Sequence, residues 1–132
     1  MSALSSDQPI ATMEEFKAAL LARRDWNGIA PMQLRMLEAQ CRAPECAISP
    51  SDLAEQLNIK SLGAATSQYG AFARAIAEKL GYVPPHKPKG APCWWFTLST
   101  SRPCVGEDGR NGIEWIMRPE LVAALRSIRW VA

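Results

Sequence analysis

Histidine is almost missing from this sequence: His86 is the only one among 132 residues, and it lies in a proline-rich stretch. A single imidazole supports no Ser-His-Asp or Cys-His set, and a nuclease site of the HNH type needs more histidines. There is also no glycine-rich phosphate loop closed by a lysine. The paired carboxylates Glu14-Glu15 and Glu107-Asp108 read as cap and turn residues, and no repeated acidic pattern suggests a nuclease metal site. Catalysis by this chain alone is therefore not expected. No apolar run is long enough to span a membrane, and no charged-then-apolar leader opens the chain; a cytoplasmic protein with no membrane partner is expected. The four cysteines, Cys41, Cys46, Cys93 and Cys104, are spaced C-x4-C and C-x10-C. Neither spacing is the tight knuckle of structural zinc. Free, partly buried thiols in a reducing cytosol are expected, with no metal and no cofactor.

Net charge is also small, at +2, but its distribution is uneven. Residues 1–59 hold 5 basic and 8 acidic side chains, for a net −3. Residues 60–102 hold Lys60, Arg74, Lys79, Lys87, Lys89 and Arg102 against Glu78 alone, for a net +5. Residues 103–132 balance at 4 of each sign. Basic charge gathered on one part of a near-neutral chain is what phosphate contact requires, although a solvated surface can cluster charge by chance. With 48% hydrophobic residues the chain has material for a core. Its length suits one domain over residues 12–132, preceded by a Ser-containing, flexible or loosely docked end over residues 1–11.

The stretch 48–82 organises the rest. Ser49 or Ser51 can cap a helix that Pro50 opens, with Leu53, Ala54 and Leu57 as its apolar stripe. Asn58 suits its end, and residues 59–62 form a turn. Ser61 then caps a second, longer helix. Leu62, Ala65, Tyr69, Phe72, Ala73, Ile76, Ala77 and Leu80 recur on it at the helical period, and Gly81 ends it. At about 100° per residue, Gly63, Ala64, Ser67, Gly70, Ala71 and Arg74 face the other way. Surface helices usually carry Glu and Lys there. Two glycines in a helix cost roughly 1 kcal/mol each relative to alanine. So slim a face lets the backbone approach a major groove closely, or equally another helix.

Before this stretch, Thr12 and Glu15 form a capping box for a helix carrying Phe16, Ala19, Leu20 and Arg23 that stops near Gly28. Pro31 starts the next helix, whose apolar side holds Met32, Leu34, Met36, Leu37 and Cys41. A short extended piece at Ala47-Ile48 can pair with a later hairpin. After it, residues 82–92 form a stiff loop with four prolines, bearing His86, Lys87 and Lys89. Cys93–Thr100 then reads as a strand, with Trp94, Phe96 and Leu98 toward the core and Trp95, Thr97 and Ser99 outward. Residues 101–112 read as a polar loop containing Arg102 and Arg110, and Ile113–Met117 as the returning strand with Ile113, Trp115 and Met117 on one face. Pro119 opens a closing helix with Leu121, Val122, Leu125 and Ile128. The expected fold is mainly α with a small β-hairpin wing: a winged helix-turn-helix with extra N- and C-terminal helices.

The segment LNIKSLGAATSQYGAFARAIAEKLGY resembles the Gln-Tyr-Gly helix of winged-helix domains in modification-dependent restriction endonucleases. Trp94 or Trp95, then Trp115-Ile116-Met117-Arg118-Pro119-Glu120-Leu121 and Ala124-Leu125, resemble the wing and closing helix of the same group; together the likeness spans about residues 30–130. It implies non-catalytic binding of double-stranded DNA with sensing of N6-methyladenine, and it leaves room for a nuclease partner acting in trans, since no nuclease domain is present here. The expected DNA-contacting set is Lys60, Ser61, Gly63, Ala64, Ser67, Gln68, Ala71, Arg74, Lys87, Lys89, Trp95, Arg102 and Arg110. Trp95 is nominated from the outward strand face, against the general tendency of tryptophan to be core; Tyr69 is expected in the core with its hydroxyl on a backbone partner. A methylation-insensitive transcription regulator and a protein-docking winged helix are the alternatives.

Overall fold

The computed structural model describes residues 9–86, 90, 92–105, 109 and 111–131, without the side chains of Asn27 and Asn111. Expectations for residues 1–8 and for Lys87, Lys89 and Arg110 lie outside the described residues. The architecture is mainly helical, with one small three-stranded antiparallel sheet. Among the described residues no helix is long and apolar enough to cross a membrane.

Each helix starts and stops where local chemistry satisfies its free backbone groups. Helix α1, Met13–Asn27, opens on the capping box: the Glu15 amide donates to Thr12 Oγ1 at 3.1 Å, and the Thr12 amide donates to Glu15 Oε1 at 2.9 Å. Helix α2, Pro31–Arg42, has proline in its first turn. A 3-10 turn at Pro44–Cys46 then leads into strand β1, Ala47–Ile48, through two left-handed residues, Glu45 (φ 60°) and Cys46 (φ 55°). Ser49 caps α3, Pro50–Gln56, by accepting from the Asp52 amide at 3.1 Å. Asn58, at φ 54°, turns the chain toward α4, where its short polar side chain tolerates the left-handed conformation. Ser61 caps α4, Leu62–Leu80, and Gly81 closes it at φ 69°, in the region that favours glycine.

The sheet has the order β1-β3-β2, with β2 at Ser99–Val105 and β3 at Asn111–Met117. Ile48 lies opposite Trp115, and Ser99 opposite Met117. Helix α5, Pro119–Ser127, follows and packs on α1. One core joins everything: Phe16 and Leu20 of α1, Met36 and Leu37 of α2, Leu53 of α3, Tyr69, Phe72 and Ile76 of α4, Trp115 of β3, and Leu121 and Leu125 of α5. Large apolar side chains of this kind contribute about 1.5–3 kcal/mol each when fully buried.

Several sequence expectations are corrected. Cys93–Thr100 is not a strand: Trp94–Thr97 forms a 3-10 turn, and pairing begins at Ser99. The Arg118 side chain causes this departure, because its Nε and Nη2 donate to the Phe96 carbonyl at 3.0 and 2.9 Å and hold the turn from 22 residues away. Alternation predicts orientation only where the chain is extended, so Thr97 and Ser99 are buried rather than outward. Residues 101–112 are not one loop either, since β2 and β3 extend to Val105 and Asn111. Pro103 is tolerated because β2 is an edge strand, where a missing N–H costs no ladder bond. Ile113 does not share the buried environment of Trp115 and Met117, and Leu62 leaves the core stripe at 51% exposure, because each lies at an element end beyond the core. The N-terminal end docks at least in part: Ala11 is buried and Ile10 packs beside it.

Candidate nucleic-acid interface

The outer face of α4 and its cap hold together those predicted site residues that fall within residues 61–74. Ser61, Gly63, Ser67, Gln68, Ala71 and Arg74 are exposed and Ala64 is half-buried, while Ala65, Tyr69, Phe72, Ala73 and Ile76 turn inward. The helix therefore presents a row with almost no side-chain bulk. Thr66 adds none to its polarity, since its hydroxyl donates back to the Leu62 and Gly63 carbonyls at 3.1 and 3.0 Å.

Among the described residues, nothing in the packing requires the glycines of this row. A Cβ added at Gly70 meets no atom within 4 Å, and one added at Gly63 meets only Ser61 Oγ at 3.9 Å. Gly70, in the helix interior, carries a penalty of about 1 kcal/mol relative to alanine, and among the described residues no contact offsets it. At the head of the helix, the first turn has no acidic residue, and the Ala64 amide is taken by the Ser61 cap. Other first-turn amides and the positive end of the helix dipole face outward beside exposed Lys60.

Alternation misplaces the two tryptophans. Trp95 does not stand on an outward strand face: it is half-buried against the core, with ring centroids 6.0 Å from Phe96 and 6.2 Å from Trp115. The tryptophan beside the α4 face is Trp94, also half-buried, over whose ring the Arg74 guanidinium sits at 5.3 Å. Glu78, one turn further along α4, holds Arg74 from the other side at 3.2 Å. Local pattern has no signal for Trp94, because its position depends on the turn that Arg118 pins.

The electrostatic footprint is thinner than the sequence count suggests. Arg102 bonds Glu114 across the hairpin and Glu45 at 2.7 Å, and these carboxylates raise its pKa further. It is thus a brace between β2, β3 and the turn before β1 rather than an unengaged phosphate contact. Lys79 lies over the Trp26 ring at 5.3 Å, at the far end of α4. Among the described residues of the basic segment, Lys60 alone has neither a carboxylate nor a ring partner.

Compared with protein-family models, curated proteins and solved structures, the chain matches none. Among the described residues, no group of three or more His, Cys, Asp or Glu side chains is arranged to hold a metal.

Proposed function

We propose that this chain is a winged helix-turn-helix domain that binds double-stranded DNA without catalysis, inserting the outer face of α4 into the major groove with the β2–β3 hairpin as its wing. Support for the fold comes from element order. A helix, a short strand, two helices joined by a turn and a hairpin follow one another, and the short strand pairs with the second strand of the hairpin. Support for the surface rests on one observation above all: among the described residues the space beside Gly70 and Gly63 is open, which leaves the helix backbone free for close approach. A groove admits a helix most closely where that helix is slim.

We further propose that the domain senses N6-methyladenine. A methyl group on adenine N6 adds apolar area in the major groove. Gly63, Ala64, Gly70 and Ala71 leave room for it, Ser67 and Gln68 offer polar groups for base edges, and the Arg74–Trp94 pair supplies a flat partner at the end of the row. A nuclease acting in trans on the same DNA would make such a reader part of a restriction system. The test is a set of mobility-shift titrations with duplexes differing only in adenine N6 methylation. Tighter binding to methylated duplex is expected; equal binding removes the methyl preference, and no binding to either removes the DNA proposal.

One observation favours a second possibility, a protein-docking surface: Arg74 and Arg102 already have carboxylate partners. Charge reversal of Lys60 and Arg74 separates the two, because it abolishes phosphate contact but leaves docking through the small residues largely intact.

A further inference from the structure

Three sulfur-bearing side chains gather at the joint between α2 and the sheet. Cys41, near the end of α2, donates from Sγ to Met117 Sδ of β3 at 3.6 Å. Cys46, from the turn before β1, donates from Sγ to the Cys41 carbonyl at 3.6 Å. Both cysteines are free and half-buried, while Met117 closes the inner side of the cluster. Two strained left-handed residues, Glu45 and Cys46, bring the Cys46 thiol back onto the Cys41 carbonyl at the end of α2.

We propose that Cys41, Cys46 and Met117 form a binding site for one soft monovalent cation of the copper(I) or silver(I) class. Two thiolates and a thioether are the donor set that such ions select. Sulfurs sharing one ion at the usual thiolate distance of about 2.3 Å lie roughly 3.8–4.0 Å apart, so the observed 3.6 Å separation of Cys41 and Met117 needs only a small opening. Charge is also matched. Two thiolates and a monovalent ion leave one negative charge, and the Arg126 guanidinium acts electrostatically on Cys41.

A bound cation supplies the charge that displaces the thiol protons directly. On binding, both thiols release their protons to solvent and two metal–thiolate bonds form, with no change of oxidation state. The three donors come from α2, the turn into β1, and β3, so the ion would staple the helix to the sheet.

Anaerobic titration of the full chain with copper(I) against a chromogenic copper(I) chelator tests this, with melting temperature as a second readout. One tightly bound equivalent and a raised melting temperature are expected for the wild type and for Cys104→Ser. Cys46→Ser is expected to lose the site. Met117→Leu, a volume-conserving change that keeps the core packed, should weaken binding by at least the roughly tenfold that even an outer-sphere partner contributes. Binding that survives Cys46→Ser, that disappears with Cys104→Ser, or that is unchanged in folded Met117→Leu overturns the assignment. A wild-type chain that takes up no ion overturns it as well.

Discussion

Tyr69 shows how much one buried side chain can connect. Its ring stacks on Trp115 at 4.1 Å, and its hydroxyl meets Gln40 Oε1 at 2.7 Å and Ser99 Oγ at 2.6 Å. Gln40 completes the network by donating to Ser99 Oγ and to the Trp115 carbonyl, at 3.0 and 3.2 Å. The sequence marks Tyr69 as core but assigns its hydroxyl to backbone; the true partners are side chains 29 and 30 residues away. Tyr69→Phe leaves Gln40 and Ser99 short of a partner and should cost about 1–3 kcal/mol in urea unfolding at neutral pH. Burial raises the Tyr69 pKa above its ordinary value. The folded chain therefore holds this proton more tightly than the unfolded chain, so the stability it contributes is full at neutral pH and is lost as pH climbs beyond about 10. An alkaline unfolding series should show that loss in the wild type and a shallower one in Tyr69→Phe. Arg118, buried against the Phe96 ring at 4.5 Å, is the second such residue. Arg118→Met removes both donors from the Phe96 carbonyl, and a loss of roughly 2–3 kcal/mol is expected in the same assay.

Helix α4 meets two opposed demands. Its inner face fills the core, while its outer face keeps two glycines that no contact among the described residues requires. Gly70→Ala should stabilise the protein by up to about 1 kcal/mol in thermal or urea unfolding. If the face enters a groove, the same substitution weakens duplex binding; stabilisation with unchanged binding places the contact elsewhere. The hairpin gives a complementary prediction. Arg102 is an exposed brace with two carboxylate partners, so Arg102→Ala should change stability little and leave the salt dependence of DNA binding nearly unchanged. Lys60→Ala should instead lower the slope of log affinity against log salt by about 1. These outcomes reverse the ranking that residue charge alone implies, because pairing rather than charge decides which cation can meet a phosphate.

At the scale of the molecule there is one core, and both ends of the described chain enter it, Ala11 at one end and Val131 at the other. Leu121, Val122 and Leu125 of α5 are buried in it. At about 1.5–3 kcal/mol each, they contribute roughly as much as the whole stability of a typical domain, about 5–15 kcal/mol. Truncation after Met117 should therefore give a chain without a cooperative transition by circular dichroism, whereas the intact protein should unfold in one step.

Much of this architecture can be read locally. Caps at Thr12, Ser49 and Ser61, prolines at 31, 50 and 119, and the left-handed end at Gly81 depend on neighbours within a few residues, so the sequence by itself determined the five helices and their order. The slim face of α4 is equally legible, since helical period alone divides inward from outward. Tertiary structure decided the rest. The turn at Trp94–Thr97 exists because a distant arginine binds its carbonyl, Trp94 rather than Trp95 reaches Arg74 as a result, and Arg102 is engaged because the hairpin aligns it with Glu114. A periodic pattern records which side of an element faces the core, but it carries no information about a hydrogen bond or ion pair made across space, and those bonds set the edge of the candidate site.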